Sequence, residues 1–126
     1  MSNLSAPDCK IFLDAEMSER EVISVVMQGL FPPGISDSGR CEVEILKNED
    51  YDSSRRRAFP DGFVYFRYYL DLYMAEVATE EKAALVTRLL AYLWDDWGVP
   101  AVAACAFEQL LPEHGGYRSP HIPWPQ

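Results

Sequence analysis

Histidine, cysteine and basic residues are scarce in this chain, and each scarcity closes off a class of function. The only histidines, His114 and His121, both fall in a Pro/Gly-rich tail, with no Cys or carboxylate around them at the spacing of a metal site. The three cysteines, Cys9, Cys41 and Cys105, are too few and too scattered for a disulfide framework. Each sits in an apolar or alternating stretch, where a buried reduced thiol is expected. Eleven Lys and Arg oppose 20 Asp and Glu, for a net charge of −9. A field of that sign opposes nucleic acid and anionic membrane and favours cationic partners. No window of about 18 apolar residues occurs, and the N-terminus lacks the basic start and apolar run of a signal peptide. A cytoplasmic protein without membrane contact is therefore expected. No Gly-rich loop follows a strand to cradle phosphate, and no G-x-S-x-G elbow is present, so no cofactor and no catalytic residue is assigned.

What the chain does have is apolar mass: 48% of its 126 residues are hydrophobic and 13% are aromatic. That excludes disorder and suits one domain, 1–126, with a core over about 9–107 and an irregular tail over 108–126. Cys9 to Asp14 is a short apolar run that predicts a first strand, after a loose start over 1–8. Ser18-Glu19-Arg20-Glu21 has capping-box spacing, and an apolar stripe through Val22, Ile23, Val25, Val26, Met27 and Leu30 continues the helix to Phe31-Pro32-Pro33-Gly34. Residues 34–40 read as loop. Cys41 to Leu46 alternates apolar and acidic, as a strand with one wet face does. Lys47 to Pro60 is a long polar connection in which Arg55, Arg56 and Arg57 read as solvated. Thr79-Glu80-Glu81 predicts a second helix, capped by Thr79, with Ala83, Val86, Leu89, Leu90, Leu93 and Trp97 inward and an end at Gly98. Asp95 and Asp96 are adjacent, so they do not face each other and read as solvated charges in its last turn. Val99 to Phe107 predicts a buried last strand.

Between the polar connection and the second helix lies the chain's most aromatic stretch, Asp61 to Met74, which reads as one long strand. Alternation then gives it two faces. Val64, Phe66, Tyr68, Leu70, Leu72 and Met74 form an apolar row. Phe63, Tyr65, Arg67, Tyr69, Asp71 and Tyr73 form a second row, of rings with a charge pair between them. The resulting order, β-α-β-β-α-β, predicts an α+β fold of ferredoxin-like type. Both helices would lie on one face of a four-stranded antiparallel sheet, with the first and third strands central. The opposite face stays open unless the tail or a partner covers it.

The second row admits several readings. As a protein interface, Tyr65, Arg67, Tyr69 and Tyr73 would supply large rigid anchors, and Glu42, Glu44, Asp71, Asp95, Asp96 and Glu108 would surround or flank them with negative potential. The plainer possibility is a second core face, beneath the tail or a symmetry mate. As a ligand site, Tyr65, Arg67, Tyr69 and Asp71 would line a pocket on the open sheet, as in dimeric ferredoxin-like enzymes. Gly62-Phe63-Val64-Tyr65-Phe66-Arg67-Tyr68 also resembles the third-strand signature of the RNA recognition motif, and Ile11-Phe12-Leu13 the start of its first-strand signature. Against that resemblance, Asp61 stands where the motif has a basic residue, and Val64 where it has a small one. In size, acidity and element order the chain resembles the small cytoplasmic immunity proteins that bacteria keep against secreted toxins. That resemblance implies a non-enzymatic protein that occludes one cationic partner, such as a toxin. Tyr65, Arg67, Tyr69, Asp71, Tyr73, Glu42 and Glu44 are the expected partner-binding residues, and homodimerisation through the same face is compatible with them.

Overall fold

A computed structural model describes residues 6–31, 41–74 and 76–125. The expected loop over 34–40, the stop after Phe31 and most of the loose start lie outside those residues. The fold is α+β: strand β1 (Cys9–Leu13), helix α1 (Glu19–Leu30), strands β2 (Glu42–Lys47) and β3 (Tyr68–Tyr73), helix α2 (Thr79–Ala91) and strand β4 (Ala101–Ala104). The strands form one sheet in the order β2-β3-β1-β4, every neighbouring pair antiparallel. β1 and β3 therefore hold the middle.

Local chemistry explains most of these boundaries. At the start of α1, Glu21 N–H donates to Ser18 Oγ at 3.2 Å and Ser18 N–H donates to Glu21 Oε1 at 2.9 Å, the reciprocal capping box that the spacing predicts. Thr79 is not the cap of α2. It is the first helical residue, and the extended residue before it, Ala78, accepts from the Glu81 and Lys82 amides through its carbonyl, with no side-chain cap. Glu80 and Glu81 still sit at the positive end of the dipole. The helix then widens into a π-helical turn, Tyr92–Asp96, before Gly98 turns at φ +60°. An extra residue in that turn rotates the residues beyond it, so Leu93 stays buried but Trp97, expected inward, is 46% exposed.

One face of the sheet carries the main core. Cys9, Ile11 and Leu13 of β1, Leu70 and Leu72 of β3, and Ala101 and Ala103 of β4 pack against Val22, Val26 and Leu30 of α1 and Val86, Leu89 and Leu90 of α2. Gly29 lets the helices approach closely: a Cβ there would stand 2.8 Å from Leu89 and 2.9 Å from Tyr92. Tyr68 also points to this side, where its hydroxyl donates to the Met17 carbonyl at 2.6 Å. Burial raises the pKa of that hydroxyl above its ordinary value.

The long strand expected over 61–74 is shorter than the pattern predicts. Asp61–Tyr65 is a 3-10 turn packed on a second one, Arg55–Arg57, and β3 begins only at Tyr68. The reason is the lack of a ladder partner. Tyr68 stands opposite Leu13 on one side and Lys47 on the other, the last residues of β1 and β2. Asn48 then takes over, its Nδ2 donating to the carbonyls of Val64 at 2.9 Å and Phe66 at 2.8 Å. Gly62 is required by contact, since a Cβ there would lie 2.5 Å from the Arg55 carbonyl oxygen. Val64, expected in the core, is exposed, and Phe66 is buried in a different cluster, with Val102 and Ile122.

The Arg55–Arg57 segment is also corrected. Arg56 is buried, its Nη1 donating to Asp14 Oδ2 at 2.5 Å. The last strand is shorter than 99–107, because the chain turns away after Ala104. Beyond it the tail folds back along the outer edge of β4. Gly115 (φ +76°) and Gly116 (φ +97°) sit so close that a Cβ would meet the Ala103 oxygen at 2.7 Å and the Ala101 oxygen at 2.9 Å. Trp94 Nε1 donates to the same Ala101 carbonyl at 3.0 Å. An edge strand that would otherwise expose unpaired backbone is thereby covered.

A pH prediction arises at the other end of β1. Asp8 accepts from the Met74 N–H at 2.6 Å and pairs with Lys82 Nζ at 2.9 Å. Burial alone would raise its pKa, but the Met74 amide and the Lys82 ammonium outweigh it and hold the carboxyl below 3.8. A depressed carboxyl contributes stability above its unfolded pKa and loses it as pH falls through the folded one. Asp8→Asn is expected to cost about 1–2 kcal/mol at neutral pH. The gap between the variants' melting temperatures should close as pH drops below 3.8. A constant gap across that range would remove Asp8 from the acid limb.

Candidate interaction face

The sheet face turned away from the helices is divided in two. On one half, Phe63 from the 3-10 turn packs edge-on to Phe12 (ring centroids 5.4 Å apart) and to Tyr117 (5.8 Å). Trp124 packs on Phe66 at 5.4 Å and Phe59 at 5.0 Å, and its indole N–H donates to the Arg57 carbonyl at 3.0 Å. Phe66, Val102 and Ile122 form the buried centre of this second cluster, with Phe12 and Tyr117 against it. The 3-10 turn and the tail thus cover the β1/β4 half.

On the β2/β3 half, the register sets Glu42 opposite Tyr73, Glu44 opposite Asp71 and Leu46 opposite Tyr69. Directly opposed residues share a face, so these side chains form one patch. Glu42 and Glu44 are exposed, Tyr69 and Tyr73 are half-buried and Asp71 is buried. Lys10, opposite Asp71 on β1, joins the patch: its Nζ is 3.1 Å from Asp71 Oδ1 and 3.9 Å from the centroid of the Tyr69 ring. The lysine holds the ring and the carboxylate in place, and it balances one of the patch's charges. Burial, then the charges of Asp71 and Glu44, push the Tyr73 hydroxyl above its ordinary pKa, so that hydroxyl stays a neutral donor.

Five of the seven expected partner-binding residues, Glu42, Glu44, Tyr69, Asp71 and Tyr73, therefore meet on one face. Tyr65 and Arg67 do not join them. Tyr65 lies in the 3-10 turn with the Arg55 guanidinium 5.5 Å from its ring centroid. Arg67 is an internal strut. Its amide donates to Asp14 Oδ1 at 3.1 Å, its guanidinium reaches Asp14 at 3.6 Å and Glu16 at 3.6 Å, and it stacks 4.7 Å over Tyr51. Strand alternation assigns both to the face only if it is carried past Tyr68, where the strand ends. Sequence reasoning misses Lys10, although it is the one charged side chain of β1 and falls on the polar side of the alternation.

Among the described residues, two of the cavities have linings that include none of Glu42, Glu44, Tyr69, Asp71 and Tyr73. One of about 560 Å³ is lined by Trp94, Asp95, Pro112, Glu113, His121, Ile122 and Pro123, and contains none of the seven residues. Within its wall Ser119 Oγ donates to Glu113 Oε1 at 2.5 Å, and His121 Nδ1 lies 3.4 Å from the same oxygen. Those two contacts hold the Glu113 carboxyl below its ordinary pKa. The hydroxyl faces the carboxylate rather than the imidazole, and Ser119 is itself buried. A smaller cavity of about 220 Å³, beside Lys47, Asn48, Tyr51 and Arg67, is walled by the Arg67 strut. Among the described residues no group of His, Cys, Asp and Glu is placed to hold a metal ion, and no helix is long and apolar enough to cross a membrane. Comparison with family models, with curated proteins and with solved structures finds no match to this chain.

Proposed function

We propose that this chain is a non-enzymatic binding protein of the immunity type, which docks a basic protein partner on the β2/β3 half of its sheet and blocks that partner's own site. The observation that carries this reading is the register that gathers Glu42, Glu44 and Asp71 around Tyr69 and Tyr73 on one face. Rigid rings supply buried area at low entropic cost, and the acids steer a cationic partner into register. The βαββαβ order, with β1 and β3 central in an antiparallel sheet, supports reading the core as ferredoxin-like. On a second copy of this chain the same acids would meet like charges, which disfavours a homodimer through this face. Phosphates would meet them too, and Arg67 is already engaged by Asp14 and Glu16, so RNA is disfavoured for the same reason.

Tagged protein would be used to capture partners at moderate salt, alongside a Glu42→Lys/Glu44→Lys variant and Tyr73→Ala. The expected result is one stoichiometric basic protein with the native chain. Tyr73→Ala should weaken that complex by roughly tenfold or more, the scale of an interface anchor. The double charge reversal should slow association and flatten its salt dependence. Unchanged circular dichroism would show that folding is intact. If both variants capture the partner as the native chain does, or if no basic protein is recovered, the reading fails.

A further inference from the structure

The register of β1 and β4 carries an inference that is independent of the interaction face. Lys10 stands opposite Ala104 and Ile11 opposite Ala103; Cys9 and Cys105 are the next residue on each strand beyond the last pair, both packed in the helix-side core. Antiparallel pairs alternate between hydrogen-bonded and non-hydrogen-bonded kinds. Asp14 N–H donates to the Pro100 carbonyl at 2.9 Å, which makes Asp14 and Pro100 a hydrogen-bonded pair. Counting down the ladder, Cys9 and Cys105 fall on a non-hydrogen-bonded position. There the Cα atoms of opposed residues approach to about 4.5 Å, inside the span a disulfide bridges. The side chains agree with the count. Both side chains belong to the helix-side core cluster, and each thiol shifts the other: Cys105 raises the pKa of Cys9, and Cys9 lowers that of Cys105. Cys9 is buried, and Cys105, at the bend where β4 ends, is half-exposed.

We infer that Cys9 and Cys105 are a redox modification site, a dithiol that a small-molecule disulfide oxidises to a cross-strand disulfide. Cys105 reacts first, because it is the less buried of the two residues. Cys9 and then the Phe107 N–H lower the pKa of Cys105 and favour its thiolate, while Cys105 and burial keep the proton on Cys9. The Cys105 thiolate attacks one sulfur of the reagent's disulfide. A bond forms between Cys105 Sγ and that sulfur, the reagent's S–S bond breaks, and one thiolate leaves. That thiolate takes the proton from Cys9. The Cys9 thiolate then attacks Cys105 Sγ, closing the protein disulfide and expelling the second half of the reagent, which picks up the proton Cys105 had released. Two protein thiols are oxidised and one reagent disulfide is reduced to two thiols. Cys41, before the opposite edge strand β2, takes no part; burial, with the charges of Asp8 and Glu42, pushes its thiol up to about 11.

The test is to equilibrate the full chain with glutathione disulfide and glutathione at graded ratios, trap free thiols by alkylation in acid, and map the peptides by mass. Three results are expected together. Native chain loses two hydrogens and yields a Cys9–Cys105 linked peptide with Cys41 alkylated. Cys9→Ala stops with glutathione attached to Cys105. Reduction restores the free thiols in both. Native chain that remains alkylated at Cys9 and Cys105 under the most oxidising ratio would overturn the inference. So would glutathione that stays on Cys105 in the native chain, or a linkage that includes Cys41.

Discussion

Replacing Asp14 with alanine is expected to cost the fold roughly 3–5 kcal/mol, the largest loss of any charged position among the described residues. Asp14 lies at the end of β1 with its side chain 3% exposed, and it receives two arginines. Arg56 reaches it from the 3-10 turn with a side chain only 10% exposed, so removing the carboxylate leaves that guanidinium buried without a counter-charge. Arg67 is different. Its side chain is 31% exposed and also faces Glu16, so it can turn toward water. This contrast allows a decisive companion experiment. Asp14→Leu/Arg56→Met removes both buried charges and should recover most of the lost stability, because no unpaired ion remains. Equilibrium urea unfolding of the single and double variants measures both. A single-variant loss under about 1 kcal/mol would mean that the carboxylate does not hold the segment down.

Phe66→Ala is the second large effect, at roughly 3–5 kcal/mol for a fully buried ring. Phe66 is 0% exposed and sits in the cluster with Val102, Ile122 and Trp124, away from the helices. The loss should therefore be uneven. The tail and the 3-10 turns should lose hydrogen-exchange protection well before α1, α2 and the central strands do. Trp124, whose indole N–H donates to the Arg57 carbonyl, is the natural reporter. Had the aromatic stretch run as one strand from Asp61, Phe66 would belong to the helix-side core and the same variant would loosen α1 and α2 instead. Exchange data that show the helices opening first would restore that arrangement.

Local patterns were reliable where the local chain decides the structure. The Ser18/Glu21 capping box, the stripe Val22–Val26–Leu30 and the acidic alternation Glu42–Val43–Glu44–Ile45 each need only neighbours a few residues away. They name their own element and most of its buried side: of the α1 stripe, Val22, Val25, Val26 and Leu30 are buried, while Ile23 and Met27 are exposed. The order of elements came from these patterns, and alternation set Glu42 with Glu44 on one side of β2 and Tyr69, Asp71 and Tyr73 on one side of β3, two rows that the register then joined. The charge of −9 was likewise a property of composition alone.

Tertiary structure decided what depends on where partners stop. Phe63, Val64 and Tyr65 have the composition of a strand, but a strand needs a ladder, and β1 and β2 both end at the level of Tyr68. The rings there became a lid over the sheet, and Tyr65 and Arg67 left the face to which alternation had assigned them. Arg56 looked like a solvated loop charge because its carboxylate, Asp14, is 42 residues away in sequence. Cys9 and Cys105 are 96 residues apart in sequence, and only the β1/β4 pairing, which ends one residue short of them, brings them into one cluster. Side chains that act on near neighbours write their purpose into spacing; those that meet across the sheet acquire it only when the chain closes.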